Sequence, residues 1–491
     1  MNVLMVASEC VPFVKIGGLA DVVGTLPKYL KELGHKVKII LPKYKSIDGK
    51  KYNLQTLPFR LNVQVGKSTE SFRIKYCKTK DKIEVYFIEN MHFFNRIGVY
   101  GNAGLDYSDN KERYIFFCRA VLESVKALMF RPDIIHCNDW QTGLIPAYLK
   151  TNLKNDGFFW STSCVFTIHN IAYQGQFSAS TIEEAGFSWE DFTPDKLEYY
   201  NSVNFMKCGI AMADAVSTVS PTYAKEIKEF NGRGMEDVLN SRHDEIYGIL
   251  NGIDYDYWNP LTDKYIVANY DKNKLNNKKL CKKDLQKKCG LKVSDNTHMF
   301  GCASRLDNQK GFDIIIDALY SLKDCDMQFV ILGSGDGGIK GKLKKAALNM
   351  PKKVAVFFEY DEKLAHKIYA GCDSYLMPSR FEPCGLSQMI ALAYGTIPVV
   401  NRTGGLSDTI EYYNHFTKEG NGFVFDITYG ENFAQTILKS DKIFKNKQSW
   451  NTLMLNALNS NFSWDKSILK YEKMYNKLVV NKLKETIFSR S

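Results

Sequence analysis

No stretch of this 491-residue chain approaches the ~18 uncharged apolar residues needed to cross a membrane as a helix. The N-terminal MNVLMVASEC has no basic lead, no sustained apolar run and no small-residue cleavage site, so the chain reads as cytoplasmic rather than exported or anchored. No C-x-x-C pair occurs. The twelve cysteines are scattered from Cys10 to Cys384, which argues for reduced, mostly buried thiols and against a disulfide framework. No cluster has metal-ligand spacing, and no short-period repeat points to a solenoid. The net charge of +11 comes with no nucleic-acid-binding module. Much of the excess lies between Lys272 and Lys292, where lysines alternate with polar residues and the expectation is a solvated surface. A mildly basic enzyme with an anionic substrate explains the balance equally well.

What remains is ordinary globular composition, 45% hydrophobic and 24% charged, enough for roughly two to three domains. Val3 to Ala7 is an apolar, β-branched run that ends in a loop containing Gly17 and Gly18. Val22, Leu26, Leu30 and Leu33 then repeat at helical spacing, Gly34 stands where a helix terminates, and Val37 to Leu41 reads as the next strand. Strand, glycine loop, helix and strand open a doubly wound sheet.

Further buried-strand runs lie at Ile83–Ile88, Ile134–His136, Val165–Ile168 and Ala215–Val219. A second series starts near Met299 and continues through Gln328–Leu332, Val354–Phe358, Ser374–Met377 and Ile397–Val400. The expected fold class is therefore α/β, with two Rossmann-like domains facing a central cleft. The expected boundaries are 1–252 and 253–462, with a hinge near Gly252 and a closing segment over 463–491.

The polar motifs fall where loops leave these strands. Lys15-Ile16-Gly17-Gly18-Leu19-Ala20-Asp21 precedes a helix, where backbone N–H groups favour phosphate oxygens. Alone, a tight turn with a solvated lysine explains it as well. Ser304-Arg305-Leu306-Asp307-Asn308-Gln309-Lys310-Gly311 brackets a turn with a planar guanidinium and a point charge, a cationic clamp for a diphosphate unless the two are plain surface charges.

Pro378-Ser379-Arg380-Phe381-Glu382-Pro383-Cys384-Gly385-Leu386 puts one carboxylate beside a run of amides, able to accept sugar hydroxyls or simply to cap a helix. Asp139-Trp140, His169-Asn170 and Asn251-Gly252-Ile253-Asp254 follow strand-like runs and carry groups that hydrogen-bond hydroxyls. A lone histidine such as His169 serves structure more often than chemistry.

Taken together and in order, K-x-G-G-L-A-D-V, H-x-x-D-W, T-x-H-N-x-A-Y-Q-G, N-G-I-D, S-R-L-x-x-Q-K-G, P-S-R-F-E-P-C-G-L and T-G-G-L over Thr403–Leu406 resemble the bacterial glycogen synthase and plant starch synthase family. The resemblance spans nearly the whole chain. It implies the B-type glycosyltransferase fold, ADP-glucose as the usual donor, and retaining transfer to the non-reducing end of an α-1,4-glucan; no cofactor is expected, and no metal, since no cluster has metal-ligand spacing. It also implies roles by position. Lys15, Gly17, Gly18 and Asp21 would meet the donor from the first domain, with Arg305 and Lys310 opposite. Asp139, His169, Asn170 and Glu382 would surround the transferred glucose, alongside Cys384, Gly385 and Leu386. Asn251 and Tyr360 would seat the nucleotide.

Tyr100, in HFFNRIGVYG, matches an acceptor-side position, and the segment from Asn461 resembles the family's terminal helix, which crosses back onto the first domain. One departure is the residue eight places after Glu382. Many relatives carry a second glutamate there, but it is Ile390 in this chain, so ribose contacts stay unassigned. The rival readings are a glucan phosphorylase, which requires a Schiff-base lysine for pyridoxal phosphate, and a glucan-binding or regulatory protein with a degenerate site.

Overall fold

The computed structural model describes every residue except Ala103, His243, Asp244, Tyr360, 428–431 and 489–491, together with the side chains of 486–488. The chain divides into two compact units. The first comprises Met1–Asn251 with the helix Trp464–Phe488, and the second comprises Gly252–Ser463.

The first unit is built on a nine-stranded sheet. Its strands in chain order are β1 (Asn2–Val6), β2 (Lys36–Pro42), β3 (Gln55–Val65), β4 (Ser68–Lys78), β5 (Glu84–Glu89), β6 (Ile134–Asn138), β7 (Ser163–Ile168), β8 (Ala215–Thr218) and β9 (Ile246–Gly248). Across the sheet they run β9-β8-β7-β6-β1-β2-β5-β4-β3. All pairings from β9 to β5 are parallel, and the order reverses beside β1.

The parallel strands are apolar because helices cover both faces: β6 and β7 are buried at every position. The antiparallel pair β3–β4 was not apparent in the sequence. Its burial alternates and much of it faces solvent, so its residues form no continuous apolar run. The helix Gly18–Glu32 buries Leu19, Val22, Val23, Leu26 and Leu30 and ends where Gly34 takes φ +86° and donates its N–H to Lys31 O. The helix Trp464–Phe488 is fixed to this unit by a hydrogen bond of 2.6 Å between Tyr475 Oη and His136 Nδ1 and by the ring of Trp464 against Tyr29.

The second unit holds six parallel strands: β10 (His298–Ala303), β11 (Met327–Leu332), β12 (Val354–Phe357), β13 (Ser374–Met377), β14 (Ile397–Asn401) and β15 (Phe423–Phe425). Their order, β12-β11-β10-β13-β14-β15, is that of a Rossmann sheet with its switch point between β10 and β13. Ligands of such sheets bind outside the carboxyl ends of the strands near that point.

The lysine-rich stretch departs from the expectation of a wholly solvated surface. It forms the helix Asn276–Lys288, and Lys278 and Lys282 are only 5% and 3% exposed. Lys278 Nζ donates to Thr396 Oγ1 and Ala370 O, and Lys282 Nζ to Thr297 O and the Asp373 carboxylate. Long apolar stems carry these amines inward, where acceptors satisfy them. Burial pushes the Lys278 ammonium down to about 8. All twelve cysteines are free thiols, and all but Cys289 and Cys325 are buried. Among the described residues, no helix is long and apolar enough to cross a membrane.

Candidate active site

In the first unit the loop after β1 carries Glu9, which the sequence reading did not single out. Its buried carboxylate accepts the N–H of Ile16 at 2.5 Å and of Gly17 at 2.9 Å through one oxygen, and the hydroxyl of Tyr100 through the other. The Gly17 amide is thus held by a carboxylate of the same loop. Tyr100 Oη also lies 2.8 Å from Ser8 Oγ, and burial first, then the Glu9 charge, raises its phenol above the usual range. Gly18 opens the helix that follows. Lys15 is 42% exposed at its side chain and pairs with Asp21 Oδ1 at 2.7 Å. Desolvation pushes the Asp21 carboxyl up and the Lys15 charge opposes it. The only sign of Glu9 in the sequence was an acid at the carboxyl end of the first strand.

The loops after β6 and β7 form a second group. Asp139 takes φ +58°, uncommon for a residue with a side chain, and is held there as Oδ1 accepts from the N–H of His169 at 2.7 Å and of Asn170 at 3.4 Å. Desolvation raises its carboxyl to about 7, with the two amides opposing and the Glu9 charge adding slightly. His169 Nε2 lies 2.9 Å from Asn138 Oδ1, while Asn138 Nδ2 donates to Val6 O and His136 O. Asn138 therefore offers His169 an acceptor, which sets the Nε2–H tautomer and leaves Nδ1 with its lone pair. Burial drops His169 to about 3, so the ring is a neutral acceptor at working pH. Such a ring suits a hydroxyl donor.

In the second unit Lys310, after β10, meets Glu382, after β13. Lys310 Nζ lies 2.6 Å from Glu382 Oε2, which also accepts from Ser379 Oγ at 3.0 Å. Glu382 caps no helix: the helix Ser387–Ala393 starts after Leu386 with no side-chain cap. The loop is shaped from behind. Gly405 N donates to Glu382 O at 3.0 Å, and Gly404, at φ +43°, sits so close that a Cβ would lie 2.0 Å from that carbonyl. Only glycine fits there.

Cys384 is buried against Gly405, and Gly385 takes φ +72° before the helix. The Arg305 side chain is 42% exposed and lies 3.5 Å from Asp307. Asn251 is the last residue of the first unit, buried, with its side-chain oxygen lacking a hydrogen-bond partner among the described residues. Ile390 is buried within the helix Ser387–Ala393. Tyr360 lies outside the described residues.

Three groups thus gather at strand carboxyl ends: Lys15, Gly17, Gly18, Asp21 and Tyr100 around Glu9; Asp139, His169 and Asn170; and Lys310 with Glu382, Cys384, Gly385 and Leu386. Two Rossmann sheets bearing oriented carboxylates, cations and a neutral imidazole on these loops define a B-type glycosyltransferase.

Residues 2–241 match the family model for the starch synthase catalytic domain, and residues 286–451 the model for glycosyl transferases group 1. The chain is 45% identical to a glycogen synthase of Elusimicrobium minutum, over 98% of this chain and 100% of that one. It is 43% identical to a glycogen synthase of Geotalea daltonii, again over 98% and 100%. The catalytic domain of starch synthase IV from Arabidopsis thaliana, solved bound to ADP and acarbose, superposes with a TM-score of 0.91 at 34% identity, over 98% of this chain and 99% of that one. A sucrose-phosphate synthase from Thermosynechococcus elongatus, at 15% identity and a TM-score of 0.62, shares the fold. The chain belongs to the glycogen synthase family.

Proposed function

We propose that the protein transfers glucose from ADP-glucose to the non-reducing end of an α-1,4-glucan with retention of configuration, and that it does so in the cytoplasm. The second unit takes the nucleotide sugar and the first the glucan. The observation that carries this reading is the Lys310–Glu382 pair, a cation and a buried carboxylate held at 2.6 Å on loops from neighbouring strands.

Glucosyl transfer builds positive charge on the sugar ring while negative charge collects on the departing diphosphate. Fixed groups of both signs in a desolvated loop stabilise that separation more than water can. Lys310, Arg305 and Lys15 take the diphosphate. Gly17, Gly18 and Asp21 shape the donor loop, and Asn251 and Tyr360 seat the nucleotide.

Glu382 faces the glucosyl ring beside Cys384, Gly385 and Leu386. Asp139, His169 through its Nδ1 lone pair, and Asn170 hold its hydroxyls, and Tyr100 stands on the acceptor side. The acceptor hydroxyl attacks on the face the leaving group quits, without a covalent enzyme intermediate. The free state of every cysteine supports a reducing compartment.

The test is incorporation of radiolabelled glucose into maltoheptaose from ADP-glucose and, in parallel, from UDP-glucose, with the new linkage read by NMR. Transfer from ADP-glucose giving an α-1,4 bond is the expected result. No incorporation from either donor would end the proposal.

A further inference from the structure

Glu9 joins two loops that are far apart in the sequence. One of its oxygens takes two successive amides, Ile16 and Gly17, which directly follow Lys15, and the other takes the hydroxyl of Tyr100, 91 residues away. The carboxylate is buried, while Lys15 reaches solvent with its amine paired to Asp21. A charge placed in such a position costs desolvation free energy unless its acceptors are filled, and here they are filled entirely by the two loops. Glutamate fits because its length spans the gap between them.

We propose that Glu9 is a positioning residue for glucosyl transfer, a single buried carboxylate that sets the Lys15 loop and the Tyr100 loop in one fixed relation. The inference rests on the functional reading above, in which Lys15 serves the donor and Tyr100 the acceptor. Without Glu9 the Ile16 and Gly17 amides lose their acceptor and the backbone that aims Lys15 is released. The Tyr100 hydroxyl then keeps only Ser8. Reach and hydrogen-bonding pattern decide the outcome, not charge. A glutamine can accept both amides through its carbonyl and donate its NH2 to the Tyr100 oxygen, with that hydroxyl turning to Ser8. An aspartate keeps the charge but is one methylene too short to hold both loops.

The experiment measures kcat, glucan KM and thermal melting of the full chain for the wild type, Glu9→Gln, Glu9→Asp, Glu9→Ala, Lys15→Ala and the double variant Glu9→Ala/Lys15→Ala. Glu9→Asp and Glu9→Ala should each lower kcat by at least about tenfold, whereas Glu9→Gln stays within about threefold of the wild type. In the Lys15→Ala background, Glu9→Ala should lower kcat by less than about threefold more, because its effect on turnover runs through the lysine, whereas its effect through Tyr100 falls on the glucan KM. Should Glu9→Ala fail to fold, the Gln and Asp variants decide alone.

Glu9→Asp active with Glu9→Gln impaired would make charge the operative property and overturn the proposal. So would losses from Glu9→Ala and Lys15→Ala that multiply independently, or a Glu9→Ala protein that turns over normally. A wild type that transfers no glucose at all would instead indict the functional reading, which separates the two failures.

Discussion

Lys310 and Glu382, 72 residues apart in sequence, form an ion pair of 2.6 Å in which the carboxylate is almost wholly buried and the ammonium only partly so. If the donor diphosphate binds Lys310 as proposed, it competes with Glu382 for the ammonium, and donor binding then frees the carboxylate toward the sugar. Lys310→Ala should therefore weaken ADP binding by more than about tenfold. It should also lower the melting temperature, because an uncompensated carboxylate stays buried. Adding Glu382→Gln to that variant should restore the melting temperature without restoring turnover. Calorimetric titration of ADP and thermal melts of the three proteins check this; a single variant that melts like the wild type would show the pair to be energetically neutral.

Glu382→Ala should depress turnover far more than it weakens ADP. The side chain is anchored by Lys310 and Ser379, and its own backbone carbonyl is taken by Gly405, so the loop keeps its shape when the carboxylate is cut away. A loss confined to kcat is the mark of an interaction made in the transition state. Equal losses in kcat and ADP affinity would make Glu382 a nucleotide-holding or structural residue.

The strands were legible where they are buried on both faces. Ile134–Asn138, Ser163–Ile168 and Ser374–Met377 are buried at every position, and each carries the short apolar run by which it could be read. The hairpin Gln55–Val65 with Ser68–Lys78 was not legible, since a half-solvated antiparallel pair needs apolar side chains at only some positions. Nor was the strand Ile246–Gly248, three residues long. The motif residues could be named from the chain, but their pairings could not. That Lys310 holds Glu382, that Asp139 takes the amides of His169 and Asn170, and that Glu9 ties Gly17 to Tyr100 all depend on which strand lies beside which. Lys278 shows the reverse failure: a lysine-rich helix reads as surface until the acceptors that bury one amine come into view.

Lys15→Ala should behave unlike Lys310→Ala. Its partner Asp21 retains 24% side-chain exposure and the lysine more, so the pair is a surface bridge with little effect on stability. ADP affinity should stay within a few fold while kcat falls by on the order of a hundredfold, the size of losing one oriented donor at developing charge. Steady-state kinetics with ADP inhibition constants measure both. Normal turnover would make Lys15 a surface charge.

Asp139 makes a prediction with a definite sign. Desolvation holds its carboxyl at about 7, above the usual carboxylate value, so the folded protein keeps this proton over a range in which the unfolded chain has already lost it. Between about pH 4 and pH 7 the unfolded state binds fewer protons here than the folded state, and this residue's contribution to stability falls as pH rises. The contribution is flat below that window and again above it. Asp139→Asn removes the titration but keeps an oxygen for the amides of His169 and Asn170, so the backbone at φ +58° stays supported. The variant should lose little at pH 5 and gain on the wild type by pH 8, with the melting-temperature difference changing in one direction between those values. Activity should respond separately: if the ionised carboxylate holds a glucosyl hydroxyl, wild-type kcat rises through pH 7 and Asp139→Asn flattens that limb. Melts and kcat profiles of both proteins from pH 5 to pH 9 supply the data. A melting-temperature difference that stays constant across the range would mean that Asp139 is ionised throughout and that the two amides outweigh its desolvation.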